Sequence, residues 1–275
     1  MRGLIAVFTR NLVNFFRDRT RVLFSLIMSL FFMFVFSFVM KGAVSGIAQP
    51  MNYLIVGVII MTVFQQALNN STEILNDLSS GFMKEIIVSP IPRWQISLGQ
   101  IFSATAIAFV QGLLILLVSL LFGLRFSVLT FFGMTGIMLI AGLVFSSVGL
   151  FLATVSRNSS TFQIATSVVV MPLTFLSGAY IPITVLPKFL SVIVYLNPLT
   201  YITAIFRYIA LNLGSVPVAE LVQEGIAFNA HGFIITPATS FVFILLFGLI
   251  FFFLCVRKFN SADFSSVKVA MRHHH

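Results

Sequence analysis

The stretch 129–154, LTFFGMTGIMLIAGLVFSSVGLFLAT, decides the fold class. It carries no charged residue, and it is longer than the ~20 residues a helix needs to cross ~30 Å of hydrocarbon. Its apolar residues do not alternate with polar ones over ~10 residues, as a membrane barrel strand would require. Comparable apolar segments occur at about 22–40, 52–69, 97–122, 162–186 and 238–256. The composition agrees: of 275 residues, 59% are hydrophobic and 8% charged, with 33 Phe and a mean hydropathy of +1.08. A soluble domain carries about 25% charged residues, so 8% cannot coat a water-facing surface of this size. The apolar content excludes disorder, and the single cysteine, Cys255, excludes a disulfide scaffold. The expectation is an all-α polytopic membrane protein with six transmembrane helices over 22–256.

The basic residues give the orientation. Arg2, Arg10, Arg17, Arg19 and Arg21 precede the first segment, Lys84 and Arg93 lie between the second and third, and Arg157 lies between the fourth and fifth. Arg257, Lys258, Lys268 and Arg272 follow the last. These twelve fall on one side, against Lys41, Arg125, Lys188 and Arg207 on the other, which predicts both termini in the cytoplasm. All five tyrosines fall on the predicted outer side and Trp94 at the inner edge, where amphipathic rings anchor a membrane protein. The net charge of +9 is therefore an orientation signal and not a nucleic-acid footprint. The tail 257–275 ends in Arg272-His273-His274-His275, which reads as a tag remnant and leaves His231, in an outer loop, as the only native histidine.

Three segments stand apart from the spans. Residues 2–18 place Leu4, Ile5, Phe8, Leu12, Phe15 and Phe16 at helical spacing, with Arg2, Arg10, Asn14 and Arg17 mostly elsewhere. This reads as an N-terminal interfacial helix within 1–21, or as a topology signal that is also helical. Residues 72–88 put Ile74, Leu75, Leu78, Phe82 and Ile86 on one face and hold three of the seven acids, Glu73, Asp77 and Glu85. Thr72 is a candidate N-cap and Ser89-Pro90-Ile91-Pro92 a stop. Such a helix suits docking onto a soluble partner, or it is a solvated connector. Within 187–237, the short apolar pieces 189–196 and 199–213 are broken at Asn197-Pro198. Two short pieces suit an outer re-entrant or interfacial hairpin between spans five and six, and with neither spanning the C-terminus stays inside.

Missing chemistry narrows the function. The dipeptide Gly-Lys never occurs, so there is no P-loop, and a single native histidine excludes a histidine-rich zinc site. No Asp or Glu lies within a span, and no internal repeat is evident, which argues against an ion-coupled carrier. Polarity within the spans is confined to hydroxyls, amides and glycines. Thr62, Gln65, Gln66, Asn69 and Asn70 end the second span; Gln163, Thr166, Ser167, Thr174 and Ser177 mark the fifth, which also contains Pro172. The amide stripe lines a cavity or subunit interface, or it serves ordinary packing. Packing is the favoured reading for the small-residue stripe Gly142, Ser146, Gly149 and Ala153 of the fourth span.

Two motifs carry a family resemblance. The first is Asp77-Leu78-Ser79-Ser80-Gly81-Phe82-Met83-Lys84-Glu85-Ile86-Ile87-Val88-Ser89-Pro90, followed by Arg93 and Leu98-Gly99-Gln100. The second runs from Pro172-Leu173 through Phe175-Leu176-Ser177-Gly178-Ala179-Tyr180-Ile181-Pro182 to Asn197-Pro198-Leu199-Thr200-Tyr201 and Arg207. Together they resemble the permease subunits of type-2 ATP-binding-cassette exporters, and the wording of the second is more similar to the drug-resistance-like branch than to polysaccharide exporters. The resemblance implies that 72–92 is a cytoplasmic coupling helix, docking on a separate ATPase through Asp77, Phe82, Lys84, Glu85 and Arg93. It implies two copies of the permease with two ATPase subunits, ATP and magnesium being bound in the partner and no cofactor in this chain. Thr62, Gln65, Gln66, Asn69, Thr166, Ser167, Thr174 and Ser177 would then face a translocation pathway at the permease dimer interface. Asn197, Pro198 and Tyr201 would form its outer gate. The implied work is outward movement of an amphiphilic drug-like or lipid substrate across a bacterial or archaeal plasma membrane, without catalysis in this chain. Export of polysaccharide or teichoic-acid-type chains, and an ion-coupled carrier acting alone, are the alternatives.

Overall fold

The computed structural model describes residues 2–43, 50–79, 91–156, 158–230 and 233–261. Phe82, Lys84, Glu85, the Ser89-Pro90 stop, Arg157, His231 and the tail from 262 lie outside the described residues. The helices are α1 (Arg2–Arg17), α2 (Arg19–Ala43), α3 (Pro50–Asn69), α4 (Thr72–Ser79), α5 (Arg93–Ser119) and α6 (Val128–Val155). They continue with α7 (Ser159–Leu176), α8 (Ser191–Leu196), α9 (Pro198–Ala210), α10 (Val218–Gln223) and α11 (Pro237–Ser261). A small antiparallel hairpin, β1 (Phe228–Ala230) and β2 (Phe233–Ile235), was not expected from the sequence; it is too short to alter the helical class.

Among the described residues, five segments are long and apolar enough to cross a membrane: Pro50–Asp77, Arg93–Phe122, Val128–Val155, Ser159–Leu176 and Pro237–Ser261. The expected first span, 22–40, falls within α2, a 25-residue helix that is not one of the five.

Local chemistry explains where the helices start. The Asp18 carboxylate accepts from the Arg21 backbone N–H at 3.0 Å and caps α2. Ser127 Oγ accepts from the Thr130 N–H at 3.1 Å at the head of α6, and Asn158 Oδ1 from the Thr161 N–H at 2.7 Å at the head of α7. Asn197 Oδ1 accepts from the Leu199 N–H at 3.0 Å, with Pro198 in the first helical position of α9, so the break expected at Asn197-Pro198 is present.

One span needs correction. The apolar run 162–186 reads as a single helix, yet α7 ends at Leu176. Ser177 Oγ donates to the Thr174 carbonyl at 2.7 Å and accepts from the Ala179 N–H at 3.2 Å, while Gly178 turns the chain at φ 81°. Pro182 and Pro187 then withhold the donors needed to resume an α-helix, and only 3-10 turns form. Pro172, by contrast, is accommodated inside α7.

The core is built on α3. Leu54, Ile55, Val56, Ile59 and Ile60 are completely buried, and the helix packs against α2, α5, α6 and α9. Phe64 meets Phe145 of α6 edge-on at 4.6 Å. The small-residue stripe of α6 is a packing seam. Ser146 Oγ lies 3.1 Å from Thr105 Oγ1 of α5, and a Cβ on Gly149 would come within 3.1 Å of the Leu68 Cα on α3.

The N-terminal segment forms the helix α1, and its buried line differs from the expected apolar face. Val7, Asn11 and Phe15 face α5, whereas Ile5 and Phe16 remain exposed. The reason is a polar anchor: Asn11 Nδ2 donates to Gln100 Oε1 at 2.7 Å and to Ser103 Oγ at 2.8 Å. Of the two pieces expected within 187–237, α8 is one and two-thirds turns long, while α9 is buried among α3, α6 and α11.

Candidate functional site

Three arrangements bring the chemistry-bearing residues together. The first surrounds α4. The carboxylate of Asp77 pairs with the guanidinium of Arg10 on α1, which also donates to Asn11 Oδ1 at 3.0 Å from Nη2 and 3.3 Å from Nε. One helical turn earlier, Glu73 Oε1 accepts from Arg21 Nη1 at 2.5 Å, and Arg21 Nη2 donates to Asn70 Oδ1 at 2.9 Å. Asn70 in turn donates to the Gln66 carbonyl at 2.7 Å. The acids of α4, at i and i+4, therefore grip two helices through two arginines. Ile74 and Leu75 bury the opposite face beside α6 and α7. Arg93, at the start of α5, donates to the Asn260 carbonyl at 3.2 Å and ties that corner to α11.

The second is a cavity of about 250 Å³ between α2, α3 and α7, lined by Phe32, Gln65, Ser167, Met171, Thr174 and Tyr180 among others. Three expected pathway residues, Gln65, Ser167 and Thr174, thus converge from helices about a hundred residues apart in sequence. Thr174 Oγ1 is buried and has no hydrogen-bond partner among the described residues. Phe32 stacks on Tyr180 with ring centroids 5.8 Å apart, closing one end with aromatic surface.

The remaining expected pathway residues lie elsewhere. Thr62 faces α2, with its Oγ1 3.0 Å from Ser29 Oγ and donating to the Val58 carbonyl at 2.9 Å. Thr166 is buried and bonds the carbonyls of Phe162 and Gln163 in its own helix. Ser177 is occupied in the turn after α7, Gln66 is buried, and Asn69 is exposed.

The third arrangement joins the ends of α3, α7 and α9. Asn197 is fully buried, and its Nδ2 donates at 2.8 Å to the carbonyl of Leu173 in the last turn of α7. Tyr201 donates its hydroxyl to the Tyr195 carbonyl at 2.6 Å and packs its ring against Phe228 and Phe243. The residue that organises this end is Arg207, which the charge count placed among the four outer-side cations. It is 1% exposed. Nη1 donates to the Gly178 carbonyl at 3.1 Å, and Nη2 to the carbonyls of Ala179 at 3.0 Å and Tyr53 at 3.2 Å. The guanidinium carbon lies 3.3 Å from the centroid of the Tyr53 ring. A signal for this was present: Arg207 is the lone charge in the apolar sequence PLTYITAIFRYIA, and such a charge usually faces a protein interior.

Known proteins share this sequence pattern. Residues 2–211 match the family described as ABC-2 type transporter. The inner membrane transport permease YadH of Escherichia coli K12 is 27% identical over 168 residues, which cover 61% of this chain and 65% of YadH. The match therefore spans somewhat less than two thirds of that relative. The putative transport permease ycf38 of Cyanophora paradoxa is 26% identical over 204 residues, covering 72% of this chain and 67% of ycf38. The probable multidrug ABC transporter permease YbhR of Escherichia coli K12 is 27% identical over 165 residues, covering 59% of this chain and 42% of YbhR.

Proposed function

The chain belongs to the ABC-2 type transporter family, and from that premise we propose that it is the transmembrane permease subunit of an ABC exporter. It moves an amphiphilic, drug-like or lipid substrate outward, and a separate ATPase subunit binds ATP and magnesium and supplies the energy. The working unit is two copies of this permease with two ATPases, and α2 supplies the first of six spans. Both termini, and with them α4, lie on the cytoplasmic side, as the twelve-to-four distribution of cations supports.

The observation that carries the reading is the double latch on α4. A segment docked on a moving ATPase transmits force only through rigid links to the membrane helices. Arg10–Asp77 and Arg21–Glu73 are two such links, one to α1 and one to the start of α2. The α2 and α3 that flank this latch also wall the cavity lined by Gln65, Ser167 and Thr174. A displacement of α4 then tilts these helices and changes that cavity, while the junction at Asn197, Pro198 and Tyr201 gates its outer end. In this scheme Asp77 acts inside the permease, and Phe82, Lys84, Glu85 and Arg93 meet the ATPase.

The test is charge reversal at Lys84 and Glu85 together in the reconstituted permease–ATPase complex. We expect the variant to assemble in the membrane and to lose substrate-stimulated ATPase activity and transport. Transport at the wild-type rate would remove the docking role. Transport by the permease alone down an ion gradient would instead favour an independent carrier.

A further inference from the structure

At the end of the bundle opposite α4, a second cavity of about 360 Å³ opens between the start of α3, the α5–α6 loop, the head of α6 and the end of α9. Its polar lining comprises Asn52, Arg125, Ser127, Thr130 and Asn212. It shares no lining residue with the cavity bounded by α2, α3 and α7, so it is a separate feature of the fold. We propose that it binds the phosphodiester headgroup of a phospholipid.

The charge comes from Arg125. Among the described residues, its side chain makes no ion pair or hydrogen bond. The side-chain amide of Asn212 likewise has no partner there, while its backbone is held at φ 55° by the turn that ends α9. The N-terminus of α6 is already capped by Ser127, so the anion falls to the guanidinium, with amide donors beside it. A planar guanidinium suits two oxygens of one phosphate.

The surroundings point to a lipid as the source of that phosphate. Arg125 is flanked in sequence by Leu121, Val128 and Leu129, which at 85%, 75% and 84% are the most exposed large aliphatic side chains described. In a membrane protein such side chains meet acyl chains. The cation thus stands where the hydrocarbon gives way to phosphate, with the acyl chains' contact surface beside it. The volume is at the lower end of that for small-ligand sites and admits a headgroup with its alcohol.

The experiment is native mass spectrometry of the delipidated full chain, titrated with phosphatidylglycerol and with diacylglycerol of the same acyl chains. We expect phosphatidylglycerol to add at roughly five- to tenfold lower concentration. Arg125→Gln should abolish that preference for one bound lipid, and Asn212→Asp, which sets a carboxylate beside Arg125, should weaken it similarly. Arg125→Lys, as the conservative variant, should retain most of it. Equal binding of the two lipids, or unchanged binding by both Arg125→Gln and Asn212→Asp, would overturn the proposal. Displacement of the lipid by inorganic phosphate at equal concentration would overturn it too, by assigning the cavity to a soluble anion.

Discussion

Arg207 shows how much one side chain does when it is taken out of water. Among the described residues no carboxylate pairs with it; three backbone carbonyls and an aromatic face share its charge. Two of those carbonyls belong to the turn after α7, whose backbone has no helical partner for them, so the guanidinium replaces a missing stretch of helix. Gly57 makes the approach feasible, since a Cβ there would lie 2.0 Å from the Ala179 carbonyl oxygen. Substitution of Arg207 by Met keeps most of the volume but leaves the Gly178 and Ala179 carbonyls of the turn without this donor, at about 1–3 kcal/mol for each buried orphan. The expected outcome is a fall of roughly 6–12 °C in apparent Tm in detergent, if about 3 kcal/mol is lost in all. Arg207→Lys should recover only part of it, because an ammonium cannot span the same fork. A shift within one degree would mean that desolvation of the charge cancels its bonds. Counting cations by side says nothing of burial, and a thirteen-residue helix is too short to register as buried by length alone.

Among the elements, α4 was the most legible and α7 the least. The acids of α4 stand out against a chain with 8% charge, and their spacing on one helix is a local property. Their partners are not local: Arg10 and Arg21 lie 67 and 52 residues away, so the latch exists only once α1 and α2 have packed. Both pairs are partly exposed, and such pairs contribute ~1 kcal/mol or less to stability. Their weight is mechanical. Arg21→Glu should accordingly leave apparent Tm nearly unchanged but separate ATP hydrolysis from transport in the complex. The swap Arg21→Glu with Glu73→Arg should restore coupling. If the single variant couples normally, the link through α2 is dispensable. For α7, the apolar run carried the expected span ten residues too far, because Ile181, Val185 and Leu186 are as apolar as a helix interior. The stop was written in Gly178, Pro182 and Pro187, residues that set backbone geometry and hydrogen bonding rather than polarity.

Viewed as a whole, the molecule exposes an unusual mixture on α7. Gln163 and Ser167 are exposed alongside Ile164, Val168 and Met171, whereas the exposed residues of α11 between Val242 and Leu254 are all apolar. Lipid suits the second face; a second permease copy suits the first, since amides and hydroxyls gain partners in a protein interface. A cysteine at Met171 should therefore give a dimer with a short bismaleimide, whereas one at Leu249 on α11 should not; native Cys255 is fully buried and stays silent. Equal cross-linking from both positions would place the interface elsewhere. A helical membrane protein, most of its long apolar helices, the break at Asn197-Pro198 and the exceptional charge of α4 were legible in the chain, because length, periodicity, proline chemistry and charge scarcity act over a few turns. It took the packed bundle to turn Asp77 inward to Arg10 and to hide Arg207 as a clamp. Packing likewise gathered Gln65, Ser167 and Thr174 around one cavity while sending Thr62 and Thr166 elsewhere. Those outcomes depend on which faces of separate helices meet, and periodicity marks a face without naming its partner.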